Sequence, residues 1–372
     1  MRFDNQLRYA EDIVKTYEGY EPLHLWLKSY FRDHKQMGSR DRRQLSNLVY
    51  GFYRLGHAVR HLSLKERLLL GSYLSHEKGE LLEYFRPDWK EGSLEEKVGW
   101  TGFNPEDIFP WKDKLSDNID HRAFCLSFLR QPDLFLRIRP GYQEMVLAKA
   151  GAEGFIPPVT LRLSNGVKVE ELFTPDVEVV VQDYSSQRIG ALLVDEVPRR
   201  YWDACAASGG KTLLVFDKYP SVEITVSDLR ESILRNLEQR FQRAGIKQYT
   251  AMTADLQKSG TGPTRKLFDL VLADVPCTGS GTWSRTPEEL YFFDPAKVDV
   301  YSERQRKIMD NIFPKVQEGG RLVYSTCSVF RKENEEILQY LQSRRGMTVE
   351  EAGPIIGYAD RADTMFAARL RP

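Results

Sequence analysis

Beyond residue 176 the chain repeats one pattern, a short strand-like run followed by a stretch with helical spacing. The runs Arg200–Ala204, Glu223–Ser227, Tyr249–Met252, Phe268–Asp274 and Arg321–Thr326 alternate with helical patterns such as Glu231–Ala244 and Ser302–Val316. Strands separated by helices pair in parallel, because each helix supplies the crossover and then covers a face of the sheet. The expected fold class is therefore α/β, with a parallel sheet wound on both faces. Ligands of such sheets bind beyond the carboxyl ends of the strands.

The remainder of the 372 residues leaves room for further cores, and 41% hydrophobic with 28% charged residues is an ordinary globular composition. Residues 1–130 place apolar side chains at three- and four-residue steps, as in Ile13, Val14, Tyr17 and in Leu45, Leu48, Val49, Phe52, which predicts a helical domain. Pro22 and Pro87 punctuate the helices, and Ser39 is the expected N-cap of a basic one. Residues 131–178 read as a small α/β module: Leu134–Arg139 and Val159–Leu163 are strand-like, Tyr142–Ala152 is helical between them, and Asn165-Gly166 signals a turn. The alternating region, residues 179–372, forms the third segment.

No apolar run approaches the roughly 20 residues that span a bilayer, and the first residues lack the apolar stretch of a secretory signal. A cytoplasmic protein is expected, with no membrane partner. Cys125, Cys205, Cys277 and Cys327 form no C-x-x-C pair, so neither a zinc site nor a disulfide framework is expected. The 53 basic and 53 acidic residues cancel, and only the distribution of charge bears on nucleic acid as a partner. Between Arg32 and Arg60 stand Arg32, Lys35, Arg40, Arg42, Arg43, Arg54 and Arg60 against Asp33 and Asp41. Such a run is more often a solvated helix face, but it is also where phosphate contacts arise, and Tyr50, Phe52 and Tyr53 interleave aromatic rings with it.

Three segments carry chemistry. The first, Asp203-Ala-Cys-Ala-Ala-Ser-Gly-Gly-Lys-Thr212, follows a strand and opens a helix, where amides favour an anionic group. A P-loop would need Gly where Cys205 stands, and the nicotinamide fingerprint G-x-G-x-x-G is absent, so an ATPase or a dehydrogenase is disfavoured. Asp228 and Asp255 follow the next two strands, and Asp228 is placed for the two hydroxyls of a ribose. One such acid is usually a cap or turn residue; three after successive strands beside a Gly-rich loop point to a ligand. The second and third segments, Asp274-Val-Pro-Cys277 and Ser325-Thr-Cys327, bring one cysteine each to the same sheet edge. Lone cysteines are commonly buried hydrophobes, whereas two at this edge read as reactive thiols.

The ordered motifs Val181–Gln187, Asp203–Thr212, Asp274–Gly281, Leu322–Ser328 and Glu333-Asn-Glu335 resemble the Nop2/Sun-type RNA cytosine-5 methyltransferases. Gly38–Arg43 and Leu48–Arg54 resemble, over a shorter stretch, the NusB-like amino-terminal domain of the bacterial Sun (Fmu) branch, which modifies small-subunit ribosomal RNA. The resemblance implies a Rossmann-like domain that binds S-adenosylmethionine through Cys205, Ala206, Ala207, Ser208, Gly209, Gly210, Lys211, Asp228, Arg230, Asp255 and Asp274. It implies Cys327 as nucleophile, Cys277 in product release, and Asp274 with Lys211 at the base. The implied substrate is 16S ribosomal RNA in a single-stranded or opened segment, with transfer RNA as runner-up and a non-catalytic RNA-binding protein as the contrasting class; a monomer is expected. Ser208 departs from the family, which usually has Pro there.

Overall fold

In the computed structural model, which describes all residues except Met1, Ala152, Thr264 and Arg265, the chain forms two compact units. One comprises Met1–Asp113, Asp120–Gln131 and Thr282–Asp294; the other comprises Lys114–Ile119, Pro132–Gly281 and Pro295–Pro372. The expected helix end at Ala152 lies outside the described residues.

The first unit is helical. Its longer helices are Phe3–Thr16, Leu23–Asp33, Ser39–Arg54 and Leu64–Ser75, and Ile13, Leu45, Leu48, Val49 and Phe52 are buried as their spacing predicts. Ser39 is not the N-cap. The Gly38 carbonyl accepts the first helical bond, from the Arg42 amide at 3.0 Å, so Gly38 holds the cap position and Ser39 is already helical. Helices Ser39–Arg54 and Leu64–Ser75 cross backbone to backbone: a Cβ on Gly71 would lie 2.2 Å from the Gly51 carbonyl oxygen. Only glycine at both positions permits that approach.

The basic run is less available than its composition indicates. Arg54 is 3% exposed, and its Nη1 donates to the carbonyls of Phe128 at 2.7 Å and Ser284 at 2.9 Å, while Nη2 donates to Gln131. Phe52 and Tyr53 are core residues too, so neither offers a ring face to a base. Their interleaving with basic residues suggests a surface role, but both lie on the helix face turned inward.

The second unit holds two sheets. The smaller comprises β1 Leu134–Ile138, β2 Phe155–Ile156, β3 Thr160–Leu163 and β4 Val179–Val181 in the order β2-β3-β1-β4, all neighbours antiparallel. The larger comprises β5 Arg200–Asp203, β6 Glu223–Asp228, β7 Tyr249–Thr253, β8 Phe268–Asp274, β9 Val316–Thr326, β10 Thr348–Ile355 and β11 Met365–Arg371, in the order β10-β11-β9-β8-β5-β6-β7. Strands β5 to β9 are parallel, as the alternation predicts. The sheet nevertheless ends in an antiparallel hairpin, with β11 paired to both β9 and β10. Residues on successive positions of a strand face opposite ways. Leu270, Leu272 and Val323 accordingly join the core under helices Gly210–Lys218 and Glu231–Ala244, whereas Val271, Ala273 and Leu322 join that under Lys297–Ile312 and Glu335–Arg345. Burying each Leu or Val of these strands contributes about 1.5–3 kcal/mol. The stiff, two-faced core fixes the carboxyl strand ends from which the site is built.

Candidate active site

Strand β5 ends at Asp203, which is 1% exposed. Its Oδ2 accepts from the Thr212 hydroxyl at 2.6 Å and from the Tyr201 hydroxyl at 3.2 Å, and its Oδ1 has no partner. Burial pushes this carboxyl up to about 7 against the Thr212 hydrogen bond, and the Asp274 charge adds to the push. Asp203 thus anchors the turn from beneath. The turn itself needs the left-handed region at Ala207 (φ 46°) and Gly209 (φ 83°), and a Cβ on Gly209 would meet the Phe241 ring at 2.8 Å. Ser208 accepts from Arg240 Nη1 through both its carbonyl and its hydroxyl, at 3.2 Å each, contacts in which a proline could offer only the carbonyl.

Asp228 closes the turn from the next strand. Its Oδ2 accepts from the Ala207 amide at 3.0 Å and its Oδ1 from the Arg230 amide at 2.9 Å. A cavity of about 350 Å³ opens there, lined by Cys205, Ala207, Asp228, Arg230, Asp255, Asp274 and Cys277 among the expected residues, and by Leu229, Leu256 and Ile308. Ala206, Ser208, Gly209, Gly210 and Lys211 are not among its lining residues and form the turn and helix start around it. Carboxylates at Asp228 and Asp255 suit hydroxyl and amine donors, and the three aliphatic side chains suit a flat ring. A nucleoside with a cationic tail toward Asp274 fits this donor set.

Strand β8 delivers Asp274 beside β9, in register with Ser325. Asp274 accepts from Lys211 Nζ at 2.5 Å and from the Ser325 hydroxyl at 2.7 Å. Burial opposes the Lys211 charge, but the Asp274 carboxylate outweighs it and raises the lysine, with Cys327 adding to the effect. The two cysteines meet: Cys277 Sγ and Cys327 Sγ are 3.3 Å apart, and both thiols are free. The hydrogen bond to Cys327, then burial, push the Cys277 thiol well up.

Glu333 has a part in the site that sequence reasoning did not assign. It is fully buried, accepts from the Thr278 amide at 2.8 Å and hydroxyl at 2.6 Å, and accepts also from the Ser328 hydroxyl. One carboxylate therefore ties the residue after Cys277 to the residue after Cys327. Asn334 adds a bond from its Nδ2 to the Ser328 carbonyl at 2.9 Å. The only signal in the sequence was the Glu333-Asn-Glu335 motif, which carries no indication of what the first Glu holds.

Residues 190–369 match the family 16S rRNA methyltransferase RsmB/F. That segment, just under half of the chain, is similar to the RsmB/F methyltransferases. The chain is 30% identical over 260 residues to the ribosomal RNA small subunit methyltransferase B of Citrobacter koseri, covering 65% of its own length and 60% of that relative. It is 26% identical over 357 residues to the protein of the same name from Xanthomonas campestris, covering 91% and 78%. A methyltransferase homologue from Pyrococcus horikoshii shares the fold, with a TM-score of 0.58 at 19% identity over 69% of this chain and 92% of that one. The carboxylate-lined cavity fits S-adenosylmethionine, the cofactor that the resemblance implies.

Proposed function

We propose that this chain methylates carbon 5 of a cytosine in RNA, with 16S ribosomal RNA as substrate and Cys327 as nucleophile. The observation that carries the reading is the pair of thiols 3.3 Å apart beside the Asp274–Lys211 ion pair, at the edge of the cofactor cavity. S-adenosylmethionine supplies an electrophilic methyl group on a sulfonium.

Carbon 5 of cytosine is a weak nucleophile until a thiolate adds to carbon 6. The Cys327 thiolate forms that carbon–sulfur bond, and the ring electrons shift toward carbon 5. Asp274 accepts a hydrogen bond from the exocyclic amine, and the Lys211 ammonium beside it balances negative charge developing on the ring. Once carbon 5 carries the methyl group its proton leaves to a base, the 5,6 double bond re-forms, and the electron pair of the carbon–sulfur bond returns to Cys327. Cys277, in contact with the leaving sulfur, is the residue assigned to assist this last step. A base inside a stack is out of reach of a thiol, so the target is single-stranded or opened RNA. The helical region, residues 1–130, contributes the RNA contacts.

The test is methyl transfer from labelled S-adenosylmethionine to 16S ribosomal RNA and to transfer RNA, with the modified nucleoside identified by mass spectrometry. The expected product is 5-methylcytosine in the 16S RNA. A label on another atom or base overturns the reaction, and a label confined to transfer RNA overturns the substrate.

A further inference from the structure

Of the four cysteines, two stand in contact: Cys277 Sγ and Cys327 Sγ are 3.3 Å apart and unlinked. Both side chains are partly exposed, and Cys277 lines the cofactor cavity, so a small solute reaches the pair. The backbones suit a bridge as well. Strands β8 and β9 run parallel with Asp274 opposite Ser325, at the roughly 4.8 Å spacing of neighbouring strands, and the cysteines follow directly after them. That spacing falls inside the range of Cα separations that disulfides span, about 4.4–6.8 Å. Beyond the strand ends the loops stay joined, since the Gly281 amide donates to the Cys327 carbonyl at 2.8 Å and Glu333 holds both Thr278 and Ser328. A bond asks the sulfurs to close from 3.3 Å to about 2.05 Å. The other cysteines are placed differently. Cys125 is fully buried in the helical unit, and Cys205, in the turn after β5, has no sulfur within hydrogen-bond reach among the described residues.

The two partners are not equivalent. The Lys211 ammonium interacts with the Cys327 charge, which puts a cation beside that sulfur, whereas the contact with Cys327 holds the proton on Cys277. Cys327 is thus the sulfur placed to attack first.

We propose that Cys277 and Cys327 are a peroxide-sensitive pair, oxidised reversibly to a disulfide. The Cys327 thiolate attacks one oxygen of hydrogen peroxide, the O–O bond breaks, and Cys327 becomes a sulfenic acid while the released hydroxide takes up a proton as water. Cys277 then attacks that sulfur, the S–S bond forms and the S–O bond breaks; the departing hydroxyl leaves as a second water with the Cys277 proton. Two thiols are oxidised and one peroxide is reduced to water. That the disulfide stops methyl transfer rests on the proposed role of Cys327 as nucleophile; the bond itself does not.

Brief exposure of the reduced full chain to hydrogen peroxide, followed by an acid quench and peptide mass spectrometry, tests the proposal. A linked Cys277–Cys327 peptide pair accumulates, free thiols titrated in denaturant fall from four to two, and methyl transfer to RNA is lost until dithiothreitol restores both. Cys205→Ser still forms the link. Cys277→Ser forms none, and its Cys327 passes on to sulfinic acid, which dithiothreitol does not reverse; the wild-type peptide map decides alone where that variant fails to fold. Sulfinic acid on the wild type without a linked pair, a link through Cys125 or Cys205, or an oxidised chain that keeps its methyl transfer overturns the proposal. A link that forms in a chain whose reduced state transfers no methyl group upholds the pair and overturns the methyl-transfer reading instead.

Discussion

Cys277 and Cys327 touch, yet the proposed reaction asks different things of them, and single substitutions separate the two. Cys327→Ala should abolish methylation and any covalent RNA adduct, because the carbon–sulfur bond cannot form. Cys277→Ala should let the adduct form and slow its breakdown, so that a denaturation-resistant protein–RNA complex accumulates on gels when S-adenosylmethionine is present. The reverse pattern would exchange their roles. Asp203 offers a different test, because its carboxyl is raised from an ordinary 3.8 to about 7. A raised carboxyl stabilises the fold fully only below its unfolded pKa, and that contribution is lost as pH climbs through the folded value. The stability difference between wild type and Asp203→Asn should therefore move against the wild type from about pH 4 to about pH 7, by up to about 4 kcal/mol, and level off above. Urea unfolding at several pH values would show it; a difference that is flat across that window would mean Asp203 is ionised throughout. Both cysteines, Asp274 and Asp228 were legible in the sequence because each follows a strand in a short, distinctive motif. The work of Glu333 was not, since its bonds to Thr278 and Ser328 join loops that only the folded sheet brings together. Arg54 misled for a related reason: a count of charges says nothing about which face of a helix a guanidinium occupies.

Elements were legible where local pattern and tertiary environment agree. Helix Glu231–Ala244 has the bounds expected from its apolar spacing, and strand Phe268–Asp274 those of its unbroken apolar run. The closing hairpin was not legible, because Thr348–Ile355 reads Thr-Val-Glu-Glu-Ala-Gly-Pro-Ile, polar through its first half as suits a sheet edge, and carries no strong alternation. Its partner Met365–Arg371 is an inner strand whose only helix-free clue was a short apolar run. The expectation of a wholly parallel sheet failed there, since β11 follows β10 through the loop 356–364, which contains no α-helical crossover, and so pairs antiparallel to it. Among the helices, the crossing at Gly51 and Gly71 is a property of two elements together that neither sequence segment reveals by itself. Gly71→Ala inserts a Cβ where 2.2 Å separates it from the Gly51 carbonyl oxygen, so the helices must move apart or the backbone must bend. Overpacking of this kind costs about 1–3 kcal/mol. Chemical denaturation followed by far-ultraviolet circular dichroism should register that loss, and an unchanged midpoint would show that the crossing yields freely.

For the whole molecule, 53 positive and 53 negative side chains leave no net field to hold RNA, and the proposed RNA affinity has to come from local excess. The run from Arg32 to Arg60 supplies it only in part. Arg54 is spent inside the helical unit, Arg40 is engaged with Glu80 at 2.9 Å, and Arg42 donates to the Met37 carbonyl at 2.9 Å. Lys35 and Arg43 stand exposed. If the helical unit grips the phosphate backbone, these two should carry more of the salt dependence than the partnered arginines. Each phosphate contact on a single strand contributes about 0.7 to the slope of log affinity against log salt. Replacing Lys35 and Arg43 together with Gln should then lower the slope for an unstructured RNA by up to about 1.4, whereas Arg40→Gln alone, which also frees Glu80, should change it less per residue removed. Neither variant touches a residue that lines the cofactor cavity, so S-adenosylmethionine affinity provides the internal control. Fluorescence anisotropy across a range of salt concentrations measures the slopes. A slope that the double variant leaves intact would assign the basic helix to solvent and move the search for the RNA surface to the unit that holds the thiols.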